Sequence, residues 1–309
     1  MNKGKSKQLF SYKTKPKDIQ ANRMKNYNEN YCWQYNIRLN NLEEDLDILP
    51  EGVDYTKLTV KDFTFKYISD DIEKQRANLF IRRHEWLGDI ALNTTHYFGA
   101  YYKSILAGVV TMGNPVAYSK IMGEETKDIE RLISRGACIS WSPKCLGSSF
   151  VSWCIRWMVK NTKYRIFSAY SDPSAKELGT IYQSLNFYYL GNNFGSKCKY
   201  VSPYSGKIIS DRTFRSRSYY KRYAKDLGIE WQDNWSDGDM VYFNNIPDDI
   251  EIKIREYGKQ LQEKSEKILI PSKHKYVYVL GASKLETKRL RKAFESTNKT
   301  FPYPKERGK

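Results

Sequence analysis

Apolar residues follow two different sequence patterns along the chain from about residue 72 onward. The runs 95–102 and 105–112 are rich in aromatic and β-branched residues, and two polar residues separate them, which predicts a β-hairpin. Residues 73–87 and 150–161 instead carry apolar side chains three or four positions apart, which is the period of a helix. The chain is therefore expected to fold with both strands and helices.

Further elements follow the hairpin in a regular order. Residues 128–140 predict a third strand, and a turn-rich loop leads from it into the helix at 150–161. A strand over 164–170, a helix over 175–184 and a strand over 186–190 complete the series. We predict an α+β fold with a mixed, mainly antiparallel central sheet flanked by helices.

Three other regions are expected around a core that spans residues 76–200. Residues 1–25 carry eight Lys and Arg against one acid, and they predict a flexible basic arm. Residues 26–75 predict an accessory region with a helix near 31–42. Its role as a partner-binding or dimerising surface is a hypothesis. Residues 201–309 predict a basic extension that packs on the core.

The charge balance says more about partners than about the fold. The 309 residues include 52 Lys and Arg against 35 acids, for a formal charge of +17, and 25 tyrosines. Basic and aromatic residues together suit a surface that neutralises phosphates and stacks on bases. A nucleic acid is therefore the expected partner, and a generally Lys-rich proteome is the alternative source of the charge.

Cysteine usage and apolar patterning argue against several other protein classes. Five cysteines occur without a C-x-x-C pair, which favours reduced thiols over a disulfide framework or a zinc knuckle. The first residues lack the apolar stretch of a signal peptide, and no run of about 18 apolar residues predicts a membrane span. We expect a cytoplasmic protein without membrane contact.

The segment Lys144–Ser149 has the pattern Lys-x-x-Gly-x-Ser between a predicted strand and a predicted helix. Backbone N–H groups at a helix start and the helix dipole favour an anion, and a glycine lets the backbone approach phosphates closely. An ordinary helix cap by Ser148 or Ser149 is the alternative explanation of this pattern.

A second motif places Tyr182 in the frame Gly-x-x-Tyr-x-x-x-Asn-Phe, which begins at Gly179. A tyrosine with an ordinary pKa near 10 suits a proton donor to a departing thiolate. A packed core tyrosine is the alternative. Asp172 precedes a proline, which also fits a plain turn after a strand.

The order of elements and both motifs resemble the GCN5-related N-acetyltransferase (GNAT) fold over about residues 80–199. The resemblance implies acetyl-CoA or another acyl-CoA as the cofactor, whose pyrophosphate the loop backbone would hold and whose thiolate Tyr182 would protonate. Lys replaces the family's Arg or Gln, and Ser replaces its last Gly or Ala. The implied cofactor-binding residues are Lys144, Cys145, Gly147, Ser148 and Ser149.

The segments ERLISRG, SAYSDP and GTIYQSLNFYYLG resemble more closely the Mom-type phage DNA-modification proteins. Those proteins have a GNAT-like fold and convert adenine in DNA to a methylcarbamoyl derivative at its exocyclic amine, which shields phage DNA from host restriction nucleases. The resemblance implies the same reaction here, with Tyr182, Asp172 and Arg131 as catalytic residues.

A DNA-modifying enzyme must flip its target base out of the duplex or act on a single strand. Residues 197–225 carry nine Lys and Arg with one acid and six Tyr and Phe, which predicts a surface that grips DNA phosphates and stacks on bases. A solvated basic loop is the alternative. Residues 284–309 form a second basic segment that either completes this surface or packs on the core. The best predicted phosphate contacts are Arg212, Arg215, Arg217, Lys221 and Arg222.

Other functions and cofactors stay open at this point. One alternative is a GNAT-fold acetyltransferase that acts on tRNA, a protein or a small amine, and another is a non-catalytic basic module that binds DNA. Iron has been proposed for the Mom type, so the resemblance raises it as a cofactor. However, His84, His96 and His274 are the only histidines, and their spacing indicates no metal site.

Overall fold

The computed structural model describes residues 27–91, 93–115 and 121–305, so the predicted basic arm at 1–25 lies outside the described residues. The chain divides into two compact units. The first unit contains the described residues up to Asn193 together with those from Lys273 onward, and the second contains Phe194–Ser272. The chain from Lys273 onward, predicted as part of an extension that packs on the core, belongs to the same unit as the core.

In the described residues the chain forms twelve strands and seven α-helices. The strands are β1 (Phe63–Ile68), β2 (Thr94–Tyr102), β3 (Ile105–Gly113), β4 (Glu130–Cys138), β5 (Ile166–Ser171), β6 (Tyr188–Tyr189), β7 (Cys198–Val201), β8 (Ile208–Ile209), β9 (Ser236–Asp237), β10 (Met240–Val241), β11 (Lys267–Leu269) and β12 (His274–Val279). The helices are α1 (Trp33–Leu46), α2 (Asp71–His84), α3 (Leu146–Asn161), α4 (Thr180–Ser184), α5 (Arg217–Asp226), α6 (Asp248–Lys264) and α7 (Lys284–Thr297).

The first unit is built on a seven-stranded sheet with the order β1-β2-β3-β4-β5-β12-β6. Every neighbouring pair is antiparallel except β4 and β5, which run parallel. The predicted α+β class with a mainly antiparallel sheet is therefore confirmed. Two strands come from outside the predicted core: β1 lies in the expected accessory region, and β12 lies in the expected extension.

Helices cover the sheet on both faces. Val110 of β3 joins the cluster around α3, where Phe150 and Met158 are fully buried. Its neighbour Val109 joins the cluster around α2, which includes Ile81. Because adjacent strand residues point to opposite faces, α2 and α3 pack on opposite sides of the sheet.

A buried polar cluster ties α1 to the core. Asp45 is fully buried, and its carboxylate lies 3.1 Å from Nε2 of His84 and accepts the backbone N–H of Ser140 at 2.9 Å. Burial alone would raise the pKa of Asp45, but the charge of His84 and the hydrogen bonds from His84 and Ser140 hold it below its ordinary value. The accessory region is thus an integral part of the first unit.

The second unit has its own aromatic core between α5, α6 and the sheet β11-β7-β8. Tyr223 is fully buried there and lies against Gly258 of α6, where an added methyl group would lie 2.6 Å from the Tyr223 ring. Only glycine fits at that position. The other buried members of this core are Tyr200, Phe214, Tyr219, Tyr220, Ala224 and Ile254.

Replacement of Asp45 by alanine should lower the free energy of unfolding by about 3 kcal/mol or more, because it leaves the groups that face the carboxylate without their partner. Urea denaturation followed by circular dichroism measures this change. Glu43→Ala, at an exposed position of the same helix, should change the value by less than about 0.5 kcal/mol. Equal effects of the two substitutions would contradict the role of the cluster.

Candidate active site

The parallel strands β4 and β5 part in the middle of the sheet. They pair only from Glu130 to Leu132 on β4 and from Ile166 to Ser168 on β5. Beyond these residues β4 stays paired with β3, and β5 stays paired with β12 as far as Ser171. A gap therefore opens between two strands that are each held from the other side.

A β-bulge lies where β4 leaves β5. Thr111 of β3 faces Arg135, whereas the next residue, Met112, faces Ile133, so Ser134 is an extra residue in β4. The Ser134 hydroxyl lies 2.9 Å from the Thr111 hydroxyl and can donate to the Thr111 carbonyl at 3.1 Å. Because a bulge bends its strand, it turns β4 away from β5 at this point.

The gap opens into a pocket of about 350 Å³. Its wall is formed by β4 from Leu132 to Gly136, by the end of β5, and by the segment from Lys176 to Tyr182. The accessory region also contributes, because Gln34 lines the pocket and accepts the backbone N–H of Trp86 at 3.1 Å. No chemistry was predicted for that region, but the structure places it at the pocket.

The predicted cofactor loop lies beside the pocket, although none of its residues lines it. A methyl group built on Gly147 would lie 3.4 Å from Cδ1 of Ile181, which does line the pocket. Helix α3 starts here without a side-chain cap, and the Ser148 hydroxyl donates to the Cys145 carbonyl. The explanation of Ser148 or Ser149 as an ordinary cap is therefore wrong.

The start of α3 has the properties of an anion site. The first N–H groups of a helix have no partner within the helix. In the described part of the chain, the backbone N–H of Ser149 donates to the Cys145 carbonyl, but no acceptor faces those of Gly147 and Ser148. Lys144 is exposed next to them. Free amides, the helix dipole and a cation together favour a phosphate group here.

Helix α4 carries Tyr182 into the pocket. Gly179 precedes the helix with φ of +66°, and an added methyl group would lie 2.6 Å from the Tyr276 ring. Asn186, which stands where the GNAT pattern has glycine, also has a left-handed backbone with φ of +57°. Asparagine tolerates this conformation better than most residues, so the departure from the family pattern preserves the turn.

Tyr182 is half-buried and packs against Phe187 and Tyr276, with ring centroids 5.2 and 5.4 Å away. Burial, together with the negative charges of Glu177 and Glu85, raises the pKa of its hydroxyl above the ordinary value. The hydroxyl therefore stays protonated at neutral pH and can serve as a proton donor.

Glu177 is a pocket residue that the sequence analysis missed. Burial, with the nearby carboxylates of Glu85 and Asp172, raises its pKa to about 7, although hydrogen bonds from the Asp172 backbone and the Trp86 side chain oppose this rise. A carboxyl that titrates near neutral pH can both accept and donate a proton. No spacing rule indicates it, since it follows Asp172 in a loop with no regular period.

Asp172 lies at the pocket with both carboxylate oxygens engaged. Oδ1 accepts the backbone N–H of Ser174 at 2.9 Å, and Oδ2 lies 3.2 Å from Nζ of Lys273. Its backbone N–H donates to Oε2 of Glu177 at 3.3 Å. The turn expected from the Asp-Pro pair and the position at the site are thus both present.

Arg131 is not among the residues that line the pocket. Its guanidinium donates to the Tyr164 hydroxyl. The guanidinium carbon lies 3.6 Å from the centroid of the same ring, so the two groups are stacked. Arg131 faces Phe167 in the paired part of β4 and β5, before the strands separate. The structure therefore places Arg131, which was predicted as a catalytic residue, away from the pocket, and Arg135, beyond the bulge, is the arginine of β4 that lines it.

Comparison with known proteins decides the family. Residues 66–305 match the model of the Mom protein family, which is well over half of the chain. The chain belongs to the Mom protein family. No curated protein sequence matches it.

Several proteins of known structure are similar to part of this Mom-family chain. An N-acetyltransferase from Staphylococcus aureus Mu50 is 16% identical over 33% of this chain and 56% of its own, with a TM-score of 0.26. FeeM, an N-acyl amino acid synthase from uncultured soil microbes, is 14% identical over 48% of this chain and 86% of its own, with a TM-score of 0.31.

The protein yncA from Salmonella typhimurium, solved with its cofactor acetyl-CoA, is 12% identical over 46% of this chain and 70% of its own, with a TM-score of 0.28. The match to the Staphylococcus aureus protein spans less than two thirds of that protein. Likenesses this weak carry no information on substrate or reaction.

The predicted phosphate contacts all lie in the second unit, on or just before α5. Arg212, Arg215 and Arg222 are exposed, whereas Arg217 and Lys221 are half-buried. The expectation that the interleaved rings stack on bases is wrong for five of the six, because Tyr200, Phe214, Tyr219, Tyr220 and Tyr223 form the core of that unit.

Within residues 27–91, 93–115 and 121–305, no three His, Cys, Asp or Glu side chains come together as metal ligands. Among the described helices, none carries the long apolar stretch that a bilayer span requires.

Replacement of Ser148 by glutamate should separate cofactor binding from folding. A carboxylate in the first helical turn favours the helix by about 0.3–1 kcal/mol, but it repels a phosphate at the same amides. The melting temperature without ligand should hold or rise, and the increase that coenzyme A gives to the unaltered protein should disappear. Ser152→Glu, one turn further along α3, should keep that increase. A normal response of the Ser148 variant to coenzyme A would argue against this site.

Replacement of Glu177 by glutamine should stabilise the protein at high pH. The folded state holds a proton that the unfolded state releases between pH 4.5 and about 7, so the native protein loses stability as the pH rises through this window. Above pH 7 the variant should be more stable by up to about 3 kcal/mol, and near pH 4.5 the two proteins should differ little. Denaturation series at several pH values measure this, with Glu51→Gln as the exposed control. A pH-independent difference would contradict it.

Proposed function

We propose that this chain is a transferase that moves an acyl-derived group from an acyl-CoA to the exocyclic amine of adenine in DNA and releases the coenzyme A thiolate. The modification would protect phage DNA from restriction. The observation that carries the proposal is the pocket where β4 and β5 part, because it brings Glu177 and Tyr182 together beside the open start of α3. Family membership supports a modification function, and the adenine acceptor follows the resemblance of the motifs.

The start of α3 suits an acyl-CoA as the donor of the transferred group. The unpartnered amides of Gly147 and Ser148 and the exposed Lys144 match the charge and the hydrogen-bonding needs of a pyrophosphate. Glycine at position 147 leaves the backbone open to close approach. When bound, the cofactor would supply an activated acyl carbon and a thiolate leaving group. Gly147 lies next to Ile181, so a ligand held at the loop would reach Tyr182 one residue further on.

The acceptor side needs help with proton transfer, because the lone pair of the adenine amine is conjugated into the ring. Glu177 would accept the amine proton as the new bond forms, and its pKa of about 7 suits that task. Tyr182 would donate its proton to the leaving thiolate. Asp172 would hold Glu177 in place through its backbone N–H, while Lys273 fixes the Asp172 carboxylate.

In this proposal, residues of the second unit bind the DNA backbone. Exposed Arg212, Arg215 and Arg222, with Lys221, would contact phosphates, and each contact should steepen the salt dependence of binding. Arg217 is a weaker candidate, because its guanidinium donates to the Gly238 carbonyl. The target base would reach the pocket by flipping out of the duplex or from single-stranded DNA.

Nucleoside mass spectrometry tests the proposal directly. DNA from cells that express the protein should contain a deoxyadenosine of increased mass, and Tyr182→Phe should reduce its amount by about 10²-fold or more while DNA affinity is retained. Tyr242→Phe, at an exposed site in the second unit, should leave the product unchanged. Unmodified DNA together with acylated tRNA or protein would refute the DNA substrate in favour of another acceptor.

A further inference from the structure

Helix α7 separates its charges by sign. Its two acids are bonded to the body of the first unit: Glu286 accepts from Nε of Arg165 at 3.1 Å, and Glu295 accepts from the Tyr188 hydroxyl at 2.6 Å. Its lysines, by contrast, are exposed. The helix therefore presents a surface that is more basic than its composition suggests.

The three lysines of α7 form a line along one face of the helix. Lys284, Lys288 and Lys292 are each four residues apart, which places them about 6 Å apart along the axis. In the described residues none of them forms an ion pair or a hydrogen bond. Together with Arg291 they line an open groove of about 810 Å³, in which Glu295 is the one acid.

We propose that this lysine face of α7 binds the phosphate backbone of the DNA substrate. The inference rests on the proposed function, and it adds a second DNA contact to the one expected in the second unit. Regularly spaced ammonium groups without protein partners can neutralise successive phosphates at no cost in broken ion pairs. Arg291 is less free, because its Nε donates to the Val279 carbonyl at 3.2 Å.

The helix does not fit a lipid surface. Membrane-surface helices expose an apolar face, but Leu290 and Phe294 of α7 are buried against β12. Leu285 is the large apolar side chain that α7 leaves exposed. The exposed side of the helix is therefore polar and cationic, which suits a charged polymer.

The same segment leads back to the pocket. After α7, the backbone N–H of Phe301 donates to the Tyr189 carbonyl. Further on, the Pro304 carbonyl accepts from Nε2 of Gln183 at 3.4 Å. Gln183 follows Tyr182 on α4. The lysine face and the pocket thus belong to one unit and are joined by a short, well-anchored stretch of chain, so a strand held on α7 would lie on the body that carries the pocket.

The test compares the salt dependence of duplex DNA binding in two triple variants of the full chain. K284Q/K288Q/K292Q should lower the slope of log affinity against log salt by about 2–3, since each lost phosphate contact removes about 0.9. The matched control K57Q/K61Q/K66Q removes the same charge from exposed positions near β1, at the opposite edge of the sheet. It should keep the native slope.

The outcomes separate the role of α7 in DNA binding from the proposed function of the protein. Equal slopes for the two triple variants would overturn the role of α7, and product formation by the native protein would show that the proposed function survives. Loss of binding to phosphatidylserine vesicles in the α7 variant, with an unchanged DNA slope, would assign the face to membranes and likewise overturn it. A native protein that neither binds nor modifies DNA would refute both proposals.

Discussion

The separation of β4 from β5 is the constraint on which the rest of the site depends. Two parallel strands that share only three residue pairs leave backbone groups without ladder partners, and such groups are available to a ligand. The bulge at Ser134 bends one strand, while β3 and β12 hold the two strands from outside. Neither strand can therefore close the gap. Helix α4 completes the pocket that this gap creates, and the start of α3 lies beside it.

The pocket is made at a cost in stability. Glu177 lies near the carboxyl groups of Glu85 and Asp172, and burial together with these like charges disfavours the ionisation of Glu177. Lys273 neutralises the charge of the Asp172 carboxylate through a direct ion pair. The unit compensates elsewhere, in the apolar clusters on both faces of the sheet and in the satisfied Asp45 carboxylate. A tuned carboxyl of this kind is common where proton transfer takes place.

Local pattern predicted most of the elements and their order, because periodicity and turn residues act over short distances. The placement of Gly147 beside Ile181, next to Tyr182, followed from that order. Long-range contacts were not accessible in this way. Nothing local indicates that β12 pairs between β5 and β6, or that Arg131 faces Tyr164 rather than the pocket. The tyrosines of the second unit were misjudged because composition does not distinguish a buried ring from an exposed one.

The position of β12 sets an order of events during synthesis. β6 pairs with β12 alone, and Lys273, which holds Asp172, immediately precedes it. A ribosome must therefore finish the whole second unit before the central sheet can close. Until residue 279 emerges, the nascent chain has every side chain of the acid cluster, but β5 is paired only with β4, over three residues. Termination between residues 272 and 279 would therefore leave the second unit whole and the central sheet of the first unit incomplete.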